Sequence, residues 1–223
     1  YFDENKNYSE PLKTIEIEWA NLEARFLLDH LDKLEIEKKG KIVEIGCGQG
    51  FLVSNAVKRN FDIVGLDFSL DQLHNPDDRK SEVYKETKDP IGHFISSDYD
   101  CSCVILKHVI EHVPSPIDLI KKISDRVARG TLLVIECPSD FSILQDYLLD
   151  GGKIKEEYWV TYPDHLAYFS PKSMTNLIGE KGFETIDLYG DFPIETLLFS
   201  GEFNYVSNKR KNGKAAHYMR CET

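Results

Sequence analysis

Residues Lys41 to Gly50 read KIVEIGCGQG, and this stretch decides the fold. Ile42, Val43 and Ile45 form a short apolar run of strand-forming residues. Gly46, Gly48 and Gly50 follow at once. Leu52, Val53, Ala56 and Val57 then recur on one side of a helix. The order is strand, glycine turn, helix. Glycine in such a turn admits positive φ and lets a ligand approach where a Cβ would collide. The first turn of the following helix offers free N–H groups, so the turn reads as a nucleotide pocket. The glycines run G-x-G-x-G, because Phe51 stands where the dinucleotide fingerprint requires its last glycine. That spacing argues against an NAD-linked dehydrogenase.

Downstream, Phe61 to Phe68 reads FDIVGLDF, a second strand ending in Asp67, 21 residues after Gly46. An acid at this place accepts hydrogen bonds from ribose hydroxyls. Ser69 and Gln72 pattern as a capping box. Ser81 to Glu86 is a weak third strand. Asp89-Pro90 and Gly92 read as a loop. Cys101 to Lys107 is nearly all apolar and suits a buried parallel strand. Ser115-Pro116 starts a helix whose buried face is Ile117, Ile120, Ile123 and Val127. Thr131 to Cys137 is a fifth strand, and Pro138-Ser139 opens the next helix. Ser170-Pro171 caps another, and Phe183 to Tyr189 reads as a sixth strand. Alternating strands and helices give a doubly wound, mostly parallel Rossmann-like sheet, with ligand at the carboxyl ends of the strands.

Before the first strand, Leu12 to Leu34 is an amphipathic helix, with Ile15, Trp19, Leu22, Phe26, Leu27, Leu31 and Leu34 as its stripe. It serves either as a lid over the pocket or as plain packing against the sheet. The 223 residues are 41% hydrophobic and 29% charged, as in a globular domain with a substantial core. A net charge of −11 argues against nucleic acid as a general partner. No apolar run approaches the ~20 residues of a membrane span. Five cysteines without disulfide-rich spacing read as reduced thiols, and with no signal peptide the expected location is cytoplasmic. The chain starts at Tyr1 rather than Met, as a piece of something longer would.

Glu44, two residues before Gly46, completes a pattern that resembles motif I of the class I S-adenosylmethionine (SAM) dependent methyltransferases. Asp67 matches the second motif of that family. The string Lys107-His108-Val109-Ile110-Glu111-His112-Val113 resembles the "hviEHv" string of quinone-biosynthesis O-methyltransferases. His165 to Gly182, HLAYFSPKSMTNLIGEKG, resembles a stretch of the same subgroup, which also includes sugar and polysaccharide methyltransferases. The resemblance covers Lys41 to Tyr189. It implies SAM as cofactor, held by Glu44, Gly46, Cys47, Gly48, Gly50, Asp67, Phe68, Lys107 and His108. It places Glu86 and Thr87 near the adenine, and Glu111 and His112 behind the cofactor or toward the acceptor.

His108-x-x-Glu111-His112 also matches an inverted zinc-protease motif. That chemistry needs both histidines on one sustained helix, and Pro114 and Pro116 forbid it. No metal is expected. Gly151 to Phe169 interrupts the pattern with Tyr158, Trp159, Tyr162, Tyr168 and Phe169, and with His165 among them. This insertion is an aromatic lid and a candidate acceptor pocket lined by Tyr162, Tyr168 and Phe169, or else lid core with a structural histidine. Methyl transfer to a hydroxyl gains from a base of near-neutral pKa. His165 is the first candidate and His112 the second. The expected organisation is an N-terminal helical extension (1–40), a SAM-binding domain (41–190) with the insertion at 151–169, and a C-terminal extension (191–223). The expected acceptor is a small molecule or a glycan hydroxyl. A non-catalytic SAM-binding or partner-binding module is the alternative.

Overall fold

The computed structural model describes residues 14–35, 40–190 and 195–200. Five parallel strands form one sheet: β1 (Lys41–Ile45), β2 (Ile63–Asp67), β3 (Tyr84–Glu86), β4 (Cys101–Lys107) and β5 (Leu132–Glu136). Their spatial order is β3-β2-β1-β4-β5. The order reverses between β1 and β4, and a crevice opens there at the carboxyl ends.

Alternation along each strand builds two cores. Ile42, Ile63, Cys103 and Ile105 face one side, against α1 (Thr14–Lys33) and α2 (Phe51–Lys58). Val43, Ile45, Val64, Leu66, Val104 and Leu106 face the other. There they meet α3 (Pro90–Ser96), α4 (Pro116–Arg126) and α6 (Pro171–Glu180), through Phe94, Ile120, Ile123 and Met174. Central strands with both faces covered are mostly apolar along their length, as β4 is apart from Ser102 and Lys107. A third, smaller cluster joins Leu148 of α5 (Ile143–Asp150), Ile154, Trp159 and Leu198 of α7 (Glu195–Ser200).

Several expectations are corrected. Asp89-Pro90 starts α3 rather than a loop, because the Asp89 carboxylate accepts from the Gly92 N–H and caps the helix. Pro138-Ser139 opens nothing; α5 begins after Ser142, which forms a capping box with Gln145. Ser69 caps only a 3-10 turn, through the Asp71 N–H. The α4 core face is Leu119, Ile120 and Ile123, while Ile117 is exposed. On α1 the inward residues are Ala24, Leu27, Leu28 and Leu31; Leu22, Phe26 and Leu34 face outward. Residues 183–189 form no strand, and most of their side chains, including Ile186 and Leu188, are exposed. An apolar pattern becomes a strand only when a neighbour takes its hydrogen bonds, and none does so among the described residues. The expected C-terminal extension lies mostly outside the described residues, though Thr196 to Phe199 falls within α7.

The glycine turn holds its shape through backbone hydrogen bonds. Gly46 and Cys47 N–H groups donate to the Leu66 carbonyl at 2.7 and 3.1 Å, and the Gly50 N–H donates to the Cys47 carbonyl. Gly50 has φ +75°, and a Cβ there would stand 2.6 Å from Leu73 Cδ2 and 2.8 Å from the Tyr84 hydroxyl. Gly50→Ala therefore combines left-handed strain of about 1–2 kcal/mol with overpacking of about 1–3 kcal/mol. Equilibrium urea unfolding is expected to show a loss of about 3 kcal/mol, with the slope unchanged.

Candidate active site

The carboxyl ends of four strands carry the charged side chains. β1 ends in Glu44 and the turn, β2 in Asp67, β4 in Lys107, and β5 in Glu136. Asp67 is buried, and its Oδ2 accepts the Gly48 N–H at 2.7 Å. Its Oδ1 accepts from the Ser69 N–H at 3.3 Å. Gly48 has φ +49°, and nothing lies within 4 Å of the place a Cβ would occupy. Gly46, with φ +79°, is different: a Cβ there would meet Val109 at 2.6 Å. Gly46 and Gly50 thus serve close packing, while Gly48 faces open space beside a buried carboxylate.

Not every residue that the sequence assigned to the cofactor faces this crevice. The Cys47 thiol is buried in the core against Val53 and Gly65, so only its backbone belongs to the turn. Phe68 is exposed next to Asp67. Glu86 pairs in register with Asp67, and its carboxylate accepts from the Leu70 N–H at 3.0 Å. The Thr87 N–H donates to the Asp67 carbonyl at 2.9 Å. A separate cavity of about 820 Å³, solvent-open space included, lies beside α2, lined by Asn21, Ser54, His74, Asp78 and Tyr84 among others. Gln49 of the glycine turn and Phe51 line it too, as do Val57 and Lys58, so it runs along α2 from the turn to the far end of the helix.

Lys107 and His108 are built into an ion-pair network. Lys107 Nζ contacts Glu23 of α1 at 3.0 Å and Glu136 at 2.5 Å. His108 takes φ +52°, and its two ring nitrogens lie 3.3 Å from Glu111 Oε1 and 3.1 Å from Glu136 Oε1. Such an uncommon backbone conformation is held by its surroundings and is often found at functional sites. Hydrogen bonds to Glu111 and Glu136 push the His108 imidazole up to about 9, so it is a cation at neutral pH. Burial works to raise the Glu136 carboxyl, but the hydrogen bonds and charges of His108 and Lys107 prevail and hold it near about 2. Glu23 and Glu136 are participants that the sequence reading missed. An acid closing the apolar run LLVIE, as Asp67 closes the second strand, was the available signal for Glu136.

Just beyond His108, Glu111 is buried, at 1% exposure, in a 3-10 turn (Ile110–His112). Its carbonyl accepts from the Leu166 and Ala167 N–H groups at 2.8 and 3.1 Å, which fastens the insertion to the end of β4. This contact brings His165 to His112, with ring centroids 4.9 Å apart in an edge-to-face arrangement. His112 Nδ1 donates to the Asp164 carbonyl at 2.7 Å. The Tyr168 hydroxyl donates to the His165 carbonyl at 3.3 Å. Phe169 does not line an open pocket. It is buried in the sheet core, and Asp140 brackets its backbone on both sides. Tyr162 stands away from the cluster, 77% exposed. Of the insertion's aromatics, Trp159 packs with Leu148 and Leu198, and Tyr158 lies against that cluster.

Glu44 lies at the centre of this ground, 3% exposed, with its Oε2 lacking a hydrogen-bond partner among the described residues. Burial pushes its carboxyl up to about 8; Lys107 opposes the rise, and the charges of Asp67 and Glu136 add to it. The folded chain therefore keeps a proton that the unfolded chain, ionising near 4.5, releases. Stability from the neutral carboxyl is full below about pH 4.5 and is lost as pH rises through about 8. Glu44→Gln carries no such proton. Its melting-temperature advantage over the native chain is expected to grow between about pH 5 and pH 8, as read by calorimetry. A constant difference across that range would show that the carboxyl is ionised in the fold.

Comparison with known proteins accords with this geometry. The methyltransferase domain family matches residues 19–188. A ubiquinone biosynthesis O-methyltransferase of Aliivibrio fischeri is 29% identical over 96 residues, 40% of this chain and 40% of that protein. O-methyltransferase 12 of Dictyostelium discoideum is 25% identical over 114 residues, 49% of this chain and 30% of that protein. The matches thus span less than half the length of these curated relatives. Magnesium protoporphyrin IX methyltransferase from Synechocystis PCC 6803, solved with bound SAH, superposes with a TM-score of 0.58 at 14% identity. It covers 83% of this chain and 84% of its own. A SAM dependent methyltransferase from Archaeoglobus fulgidus gives 0.52 at 15% identity, covering 84% of this chain and 88% of its own. Identities this low speak for the fold alone. With the family match running from α1 past α6, the chain belongs to the class I SAM-dependent methyltransferases.

Proposed function

We propose that this domain transfers a methyl group from SAM to a hydroxyl of a small-molecule or glycan acceptor. The observation that carries the reading is Gly48, left-handed and open at its Cβ position, beside the buried Asp67 carboxylate. That is a cradle in which any side chain would take the ligand's room. The orphaned Glu44 Oε2 beneath it supplies a second polar atom in need of a partner. Gly46 to Gly50 and Asp67 would hold the donor, and Glu44 would lie near its amino-acid part. When bound, the donor supplies an already electrophilic methyl group.

The remaining work falls to the chain. It must keep an acceptor oxygen in line with that methyl and take its proton. Asp164 fixes the His112 tautomer with the proton on Nδ1, which leaves the Nε2 lone pair as an acceptor. Glu111 Oε1 lies 3.9 Å from that Nε2 and would stabilise it once protonated. His165 Nδ1 is buried and has no hydrogen-bond partner among the described residues. Each imidazole thus offers a ring nitrogen that can take a proton. Tyr168 is placed to support His165 through its carbonyl. The hydroxyl class and the small-molecule or glycan nature of the acceptor draw support from the quinone O-methyltransferase relatives and from the acidic charge balance.

Three measurements test this reading. Asp67→Asn is expected to weaken SAM binding, measured by calorimetric titration, by tens-fold, through loss of a charge-assisted acceptor. His165→Ala and His112→Ala are each expected to cut kcat by about 10²-fold or more, with SAM affinity intact. An acceptor panel of catechols, phenols and glycosides, scored for methyl transfer from labelled SAM, identifies the substrate; transfer to none of them would sink the hydroxyl assignment.

A further inference from the structure

Beside the residues assigned to the cofactor, one cluster is left with more donor atoms than partners. One donor atom each from Glu111, His112 and His165 lies within 4.8 Å of the other two. Glu111 is 1% exposed, and its Oε2 has no hydrogen-bond partner among the described residues. His165 Nδ1 is buried in the same condition. Leaving two buried polar atoms unmatched in one spot is unfavourable unless something else takes their lone pairs.

The surroundings are those of a ligand shell. His112 gives its Nδ1–H to the Asp164 carbonyl at 2.7 Å, which turns the Nε2 lone pair toward the cluster. A metal-binding imidazole characteristically gives its other ring N–H to a backbone carbonyl in this way. His165 is held in place by the Tyr168 hydroxyl on its carbonyl, and the following Leu166 and Ala167 are pinned to the Glu111 carbonyl. The three ligands thus come from two segments tied together by backbone hydrogen bonds. Two imidazoles and one carboxylate are a set that takes zinc(II) or a similar divalent transition ion and leaves a coordination position open.

We infer that Glu111, His112 and His165 form a binding site for a divalent transition cation of the zinc(II) class, on the acceptor side of the crevice. The expectation of no metal is revised accordingly. This is not the H-x-x-E-H arrangement. His108 is committed through both ring nitrogens to Glu111 and Glu136, and His165 comes from the insertion instead. Tetrahedral ligands about 2.1 Å from an ion stand roughly 3.4 Å apart, so the side chains close in on binding. The inference rests on the acceptor-side reading of the two histidines and changes their role there, because lone pairs held by a cation take no proton. An acceptor hydroxyl at the open position would lose its proton more readily, as water does on zinc.

The test is direct binding. Untagged protein, stripped with a chelator, is titrated with cobalt(II), whose visible absorption reports coordination, and then with zinc(II) as competitor. One equivalent of cobalt(II), displaced by zinc(II), is expected. His112→Ala and His165→Ala are each expected to weaken it ten-fold or more, and His93→Ala, on α3, to leave it unchanged. His165→Gln is measured beside His165→Ala, because truncation there could loosen the segment. Absence of saturable binding, or equal affinity in the native chain and both cluster variants, overturns the site. SAM titration of the same proteins separates the two proposals. Loss of metal with SAM binding intact leaves the imidazoles as bases, whereas metal binding without SAM binding defeats the methyl-transfer reading alone.

Discussion

The Gly48 N–H donates to the Asp67 carboxylate at 2.7 Å, and this contact joins the turn after β1 to the end of β2. The charged acceptor makes the bond stronger than a neutral one. It holds a left-handed glycine open to the crevice and buries an acid at the lip of the sheet. Parallel pairing makes it possible. Because β1, β2 and β4 run the same way in register, their carboxyl ends present Glu44, Asp67 and Lys107 on one edge. Helices cover both faces, so the edge is the part of the sheet left for a ligand.

Crowding acids on that edge has an electrostatic cost, and the chain meets it in two ways. Glu136 remains ionised because Lys107 and His108 lie against it. Glu44 is deeper, and burial outweighs the pull of Lys107, so it keeps its proton instead. Lys107 also reaches Glu23, so the same network straps α1 across the end of β4. The helix that the sequence left as either lid or packing packs against the sheet and also reaches its charged edge. Ala24, Leu27, Leu28 and Leu31 enter the core, while Glu23 contacts the charged edge.

Much of the fold was legible because it follows from local chemistry. Cys101 to Lys107 is apolar enough that burial on both faces is its natural resting place, and the strand has those bounds. Ser115-Pro116 and Ser170-Pro171 mark helix starts because their hydroxyls cap nearby N–H groups. Errors arose where a neighbour decides. Phe183 to Tyr189 has the composition of a strand, but no strand pairs with it among the described residues. Leu22 and Phe26 have helical spacing and still face outward, because the sheet meets α1 on its Leu28 side. Phe169 resembled a pocket aromatic and instead fills the core beneath α6.

For this protein the sequence alone determined the strand–glycine–helix turn, the acid after the second strand and the family they signal. Each depends on residues a few positions apart, whose backbone freedom and polarity act locally. Tertiary structure alone decided that Glu111, His112 and His165 share one spot, that Glu23 reaches Lys107, and that Glu44 holds its proton. Those facts depend on distance and desolvation between segments more than 50 residues apart in two of the contacts. Spacing along a chain carries no record of either quantity.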